Sequence, residues 1–153
     1  MDYRWQTTGF ADLGVRELYA FLRLRQEVFV LEQACLYLDA DGLDLPAVHI
    51  LCWQGDTLAA YQRCLPPGAA YPESALGRIL VRAALRGRGL GRELVRRGIA
   101  HNLGRWPGQD ILINAQAYLR RFYTELGFAA EGGEYDDKGV PHLRMRLRAS
   151  GDL

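Results

Sequence analysis

The stretch that most constrains the fold is RGRGLGRELVRRG, residues 86–98, where glycines at 87, 89 and 91 separate an apolar run from a helical one. Upstream, ALGRILV reads as a buried strand, and downstream Leu90, Leu94, Val95, Gly98 and Ile99 fall on one side of a helix. A chain passing from strand to helix through such glycines aims consecutive backbone N–H groups and a positive helix end at one point. That geometry selects a phosphate or pyrophosphate. A Walker loop requires Gly-Lys-Ser/Thr, and the chain's only lysine is Lys138. A dinucleotide fingerprint begun at Gly87 meets Arg92 where glycine is needed, and one begun at Gly89 meets Leu94. A plain glycine-rich turn and a phosphate cradle of another kind remain.

The surrounding pattern sets the fold class. DYRWQT alternates as a first strand, and Leu18, Phe21, Leu22, Val28 and Phe29 predict one amphipathic helix from Asp12 to Leu31. Arg25 falls within the apolar stripe of that helix, where an unpaired charge would be costly. It is therefore expected to meet acids, and Asp41 and Asp44 of the loop LDADGLDLP are the candidates. AVHILCW and TLAAYQRCL flank QGD as a hairpin, and DILINA is a further strand. Leu119, Phe122, Tyr123 and Leu126 mark a short helix ending at Gly127, and a second hairpin turns at DDKG. The order β-α-β-β-β-α-β-α-β-β predicts an α/β protein with a mixed sheet and helices on its faces. No linker or repeat divides the sequence, so residues 1–153 are expected to form a single domain.

Composition narrows the chemistry. A net charge of +1 argues against a nucleic-acid binder with a wholly basic surface, so any anion site is local. Arginines gather between Arg78 and Arg121, and acids between Glu32 and Asp44 and between Glu131 and Asp137. No apolar run approaches the roughly 18 residues of a membrane helix. Cys35, Cys52 and Cys64 form no C-x-x-C pair, and a reducing, cytoplasmic setting is expected. No metal is expected either. An EF-hand begun at Asp39 meets Leu43 and Asp44 at the wrong places, and Cys35 with His49 lacks zinc spacing.

VRAALRGRGLG resembles the pyrophosphate loop of the GNAT superfamily of N-acetyltransferases, Arg/Gln-x-x-Gly-x-Gly/Ala after the fourth strand, with Arg86, Gly89 and Gly91 at the matching positions. NAQAYLRRFYTELGF is similar to the family's segment ending Phe-Tyr-x-x-x-Gly-Phe, through Phe122, Tyr123, Gly127 and Phe128. Gln116 departs from a frequent cofactor-contacting Asn, and Leu119 from a frequent Ala. The element order agrees from end to end. LRLRQEVFVLEQACLYLDADGLD and GVPHLRM resemble the ElaA-type subgroup, through Arg25, Phe29, Glu32, Gln33, Cys35, Asp41, Asp44 and His142.

The resemblance implies the GNAT acyl-CoA N-acyltransferase fold, with acetyl-CoA as cosubstrate in the gap where the fourth and fifth strands part. Ile79, Leu80 and Val81 would pair with the pantetheine amides, and the backbone of Arg86, Gly87, Arg88, Gly89, Leu90 and Gly91 would hold the pyrophosphate. Gln116 would also contact the cofactor. Tyr123 would be the acid that protonates the departing thiolate. The base stays open: by residue type Glu32, Asp41, Asp44, His49, Glu134 and His142 are all candidates, as is a water relay to the acids, while Arg25, Asp41 and Asp44 would shape the acceptor side. The expected reaction is direct attack by an amine, small molecule or peptide, in a ternary complex. A catalytically silent CoA-binding sensor is the alternative. Neither nucleic acid nor membrane is an expected partner, and a second copy of the chain, forming a homodimer, is an optional one.

Overall fold

The computed structural model describes residues 2–35 and 37–149, so the two ends of the expected 1–153 domain lie outside the described residues. Strand β1 (Arg4–Gly9) leads to α1 (Val15–Arg25), and β2 (Val48–Gln54) and β3 (Thr57–Leu65) form the first hairpin. Strand β4 (Ser74–Val81) is followed by α2 (Leu90–Arg105), β5 (Ile111–Gln116) and α3 (Arg120–Glu125), and β6 (Ala129–Asp137) and β7 (Val140–Leu147) complete the fold. The element order is the one the apolar periodicity predicts.

The helix expected over 12–31 is instead divided. Phe10–Asp12 is a 3-10 turn, and α1 starts only at Val15, where the Gly14 amide donates to Glu17 Oε1 at 2.7 Å. After Arg25 the backbone widens into a π-helix, Gln26–Glu32. Arg25 is the last residue before the wider turn, so it keeps its place in the stripe, its guanidinium 5.8 Å from the centre of the Phe21 ring, and reaches the acidic loop from there.

The strands form one seven-stranded sheet in the order β1-β2-β3-β4-β5-β7-β6. All neighbours are antiparallel except β4 and β5. Parallel partners need a crossover, and the 16-residue α2 supplies it. One face of the sheet carries Ile50, Cys52, Ile111 and Ile113 against Leu90, Leu94 and Val95 of α2 and Tyr123 and Phe128. The other carries Leu51, Leu58, Tyr61 and Leu80 against Phe21, Leu24 and Val28. Alternation along the strands thus buries both faces.

Two polar contacts fix α2 over the sheet. The buried Asn102 amide donates to Ser74 Oγ at 3.2 Å and to Ala75 O at 3.1 Å, holding the start of β4. At Gly98 the helix comes so close to β3 that an added Cβ would lie 2.5 Å from Gln62 Oε1. Only glycine permits that approach, and Gln62 Nε2 uses it to reach Leu94 O at 2.5 Å.

Candidate active site

The parallel pair is short. Only Ser74↔Ile111 and Ala75↔Leu112 are partners, after which β4 and β5 separate. The cause is local to β4, where Arg78 has φ +49° and the register with β3 shifts between Tyr61 and Arg63. A bulge of this kind bends a strand and re-aims the residues beyond it. Past the bulge, Leu80 and Val81 pair with Tyr61 and Ala60 of β3 on one side, and Ile79, Leu80 and Val81 carry no β5 partner on the other. Their peptide groups form an open strand edge, which is a template for an extended amide-bearing ligand.

The glycine-rich passage lies at the far end of this gap. Gly87 and Gly89 both have φ +81°, a left-handed conformation natural to glycine, and Gly89 caps α2. The first-turn amides of α2, at Leu90, Gly91 and Arg92, have no carbonyl behind them in the helix. Gly91 differs from its neighbours, because an added Cβ would meet Val81 and Phe122 at ordinary contact distances of 3.6 and 3.8 Å.

Arginines frame the loop, but most are already engaged. Arg86 donates from Nε to Val81 O at 2.9 Å and holds both oxygens of Glu32 with its two terminal nitrogens. This pair joins the π-helix to the loop and holds the Glu32 carboxyl below the usual carboxylate range through the Arg86 hydrogen bond. Arg92 reaches Glu125 at 2.8 Å on α3, and Arg82 donates to Leu58 O at 2.7 Å. Arg88 is exposed.

Tyr123 is 5% exposed, with its ring edge-on to Phe122 and Phe128 at 5.1 and 5.9 Å. Its hydroxyl makes no hydrogen bond with any described residue, and burial pushes its pKa well above the normal phenol value. Across the gap, Gln116 at the end of β5 donates to Gln33 Oε1 at 2.9 Å, tying β5 to the segment after the π-helix. His142 pairs in register with Gln116, and its Nδ1 lies 2.8 Å from Val140 O. A carbonyl partner requires Nδ1 to carry the proton, which leaves Nε2 as the acceptor. Thus Glu32, Arg86, Gln116, His142 and the open edge of β4 belong to elements around one gap. Asp41 and Asp44 belong to the loop over the α1 face, from which Asp41 reaches the gap's edge at Arg78.

Arg25 is fully buried, as its place in the apolar stripe requires, but its partners differ in part from those expected. It holds Asp39 Oδ2 at 2.8 Å and Asp44 Oδ1 at 2.7 Å, while Asp41 pairs with Arg63 at 2.6 Å and with Arg78 at 3.3 Å. Arg78 also bonds Asp39 at 2.8 Å, and Arg63 bonds Asp44 at 3.0 Å. Arg25, Arg63 and Arg78 thereby balance Asp39, Asp41 and Asp44 and anchor the acidic loop to α1, β3 and the β4 bulge. Burial opposes ionisation of Asp41, but hydrogen bonds from Arg63 and the Leu43 amide prevail and hold its pKa at about 2. No motif marks Asp39, Arg63 and Arg78 as partners, because contacts between a loop and two strands depend on register rather than on local spacing.

His49 completes this buried layer as a structural group. Its Nε2 faces Asp44 O at 3.0 Å and its Nδ1 faces Tyr61 Oη at 2.5 Å, so a neutral ring donates to the carbonyl and accepts from the phenol. Phe21 stacks on both rings, at 5.0 and 4.4 Å.

The chain's similarities agree with this geometry. Residues 49–149 match the family described as Acetyltransferase (GNAT) domain. A UPF0039 protein of Synechocystis sp. is 44% identical over 97% of each chain. The crystal structure of an acyl-CoA N-acyltransferase from Pseudomonas aeruginosa superposes with a TM-score of 0.91 at 38% identity, covering 95% of this chain and 99% of that one. Escherichia coli ElaA superposes equally well, TM-score 0.91 and 38% identity, over 96% of this chain and 100% of its own. The fold, the parted strands and the glycine-entered helix share one explanation: the chain belongs to the GNAT acetyltransferase family, in the company of ElaA and the UPF0039 proteins.

Proposed function

We propose that the protein is an N-acetyltransferase that moves an acetyl group from acetyl-CoA to the amine of an acceptor by direct attack in a ternary complex. The observation that carries this reading is the parting of β4 from β5 after Ala75 and Leu112, beside a helix entered through left-handed Gly87 and Gly89. When bound, acetyl-CoA supplies the activated thioester. The open edge at Ile79, Leu80 and Val81 offers peptide groups to the pantetheine amides. The amides of residues 87–91 hold the pyrophosphate, with countercharge from Arg86 and Arg88. Gly91 fits this role, since conformation and packing leave room there for a side chain and a close ligand would not.

Tyr123 provides the proton for the departing thiolate, because its buried hydroxyl stays protonated far above neutral pH. His142 is favoured over Glu32 as the base. Its Nε2 is the free acceptor, whereas both Glu32 oxygens are engaged by Arg86. A cytoplasmic setting accords with three unpaired, buried thiols.

The test measures thiol release from acetyl-CoA with a panel of amines, for wild type and Tyr123→Phe. Saturable CoA binding without turnover on any amine would replace this reading with that of a silent CoA sensor. Gly89→Val tests the cradle separately, and unchanged CoA affinity in that variant would overturn it.

A further inference from the structure

We propose that the face of Tyr37 beside Asp137 is a subsite for an alkylammonium group, and that Lys138 of the same chain occupies it as a tethered stand-in which an incoming primary amine displaces. Lys138 Nζ lies 4.5 Å from the centre of the Tyr37 ring, well inside the roughly 6 Å range of a cation–π contact. The chain's only lysine sits at the tip of the β6–β7 hairpin with φ +54°, an unfavourable conformation for a residue with a side chain. The tip is closed by the Gly139 amide donating to Asp136 Oδ2 at 3.2 Å.

The place of the ring gives this contact its meaning. On the β4 side, the guanidinium of Arg78, the bulge residue, lies 5.9 Å from the Tyr37 ring centre. On the β5 side, the Asp137 carboxylate accepts from Asn114 Nδ2 at 2.9 Å. Tyr37 and Asp137 thus flank the gap between the parted strands on the face opposite α2. Arg78 is held by Asp39 and Asp41, so it does not neutralise Asp137. Among the described residues Asp137 forms no ion pair, leaving a carboxylate and an aromatic face for a compact cation. An ammonium on a flexible methylene stem can lie over that ring, as Lys138 does, and a free amine is not bound by the tether that keeps Lys138 from pairing with Asp137.

The place of this subsite in turnover rests on the acetyltransferase reading, but the binding test does not. The probe is n-butylammonium chloride, titrated by NMR into wild type, Lys138→Met, and Lys138→Met/Tyr37→Leu. Lys138 is exposed, so its replacement leaves the fold intact. Removing a competing contact of this kind predicts about two- to fivefold tighter binding to Lys138→Met, lost again in the double variant. If amines are turned over, the same factor lowers the KM of n-butylamine while kcat stays unchanged. Equal affinity of wild type and Lys138→Met, including no measurable binding to either, overturns the proposal. Absence of turnover with every amine counts against the acetyltransferase reading alone, since the titration needs no CoA.

Discussion

Arg25 and Asp44 meet at 2.7 Å inside the protein, the arginine with no exposed surface and the aspartate with 8%. The pair fixes the acidic loop to the end of α1 at the point where the helix widens. Removing one member of a buried pair leaves the other desolvated and uncompensated, a cost of about 3–5 kcal/mol. Asp44 keeps Arg63 and Asp39 keeps Arg78, so Arg25→Met should fall at the lower end, about 3 kcal/mol. The urea midpoint measures it, and a loss below about 1 kcal/mol would mean that the network tolerates the vacancy.

Acid should unfold the protein in two stages. Burial lowers the His49 pKa below its ordinary 6.5, so the unfolded state binds a proton there first. Stability contributed by neutral His49 is complete above pH 6.5 and declines as pH falls toward its folded value. Asp41 and Asp44 are held below their ordinary 3.8, Asp41 at about 2, because their arginine partners outweigh burial. Their contribution is complete above about pH 4 and disappears between there and about pH 2. Unfolding free energy measured from pH 8 to pH 3 should therefore begin to fall near pH 6.5 and steepen below pH 4. His49→Gln should remove the first stage and leave the second.

Gly98→Ala should destabilise, although alanine is the better helix former by about 1 kcal/mol. The new Cβ would sit 2.5 Å from Gln62 Oε1, and that amide is fully buried and bonded to Leu94 O. Relief requires breaking that bond or lifting α2 from β3, a net loss of about 1–2 kcal/mol. In a Gln62→Ala background the clash is gone, so the same substitution should become neutral or stabilising. Loss of equal size in both backgrounds would show that the contact with Gln62 is not the cause.

Much of this arrangement is legible in the sequence because its signals are local. The strand–glycine–helix passage of residues 86–98 marks both the crossover and the glycine-entered helix end, and Gly87 and Gly89 adopt the conformations that need glycine. Arg25 is conspicuous because a 3.6-residue period places it among apolar side chains. Other features depend on register and pitch. The π-helix after Arg25 carries no glycine or proline to announce it, and Asp39 displaces Asp41 as the partner of Arg25 because loop direction is not periodic. The bulge at Arg78, which separates β4 from β5, is equally silent, since arginine seldom adopts φ +49° without tertiary support.

Tyr123→Phe should separate acid catalysis from packing. The ring contacts with Phe122 and Phe128 are retained by phenylalanine, and the hydroxyl has no hydrogen-bond partner among the described residues, so stability should change by less than about 0.5 kcal/mol. CoA affinity should also hold. A general acid contributes about 10²–10⁴ in rate, so kcat should fall by at least about a hundredfold. A full rate in the variant would reduce Tyr123 to a core aromatic.

Glu32→Gln decides between two roles for the residue that holds Arg86. Both terminal nitrogens of Arg86 are engaged by the Glu32 carboxylate, and a phosphate group would use the same planar fork. Cofactor binding through Arg86 must then displace Glu32. The pair is 40% and 42% exposed at its side chains, and such pairs contribute about 0–1 kcal/mol. Releasing Arg86 should tighten CoA binding by up to about fivefold, while Arg86→Met should weaken it. If Glu32 is instead the base, Glu32→Gln leaves the Kd for CoA unchanged and lowers kcat at saturating cofactor. Affinity and rate thus respond separately, and the second pattern would remove Arg86 from the pyrophosphate and give Glu32 the proton in place of His142.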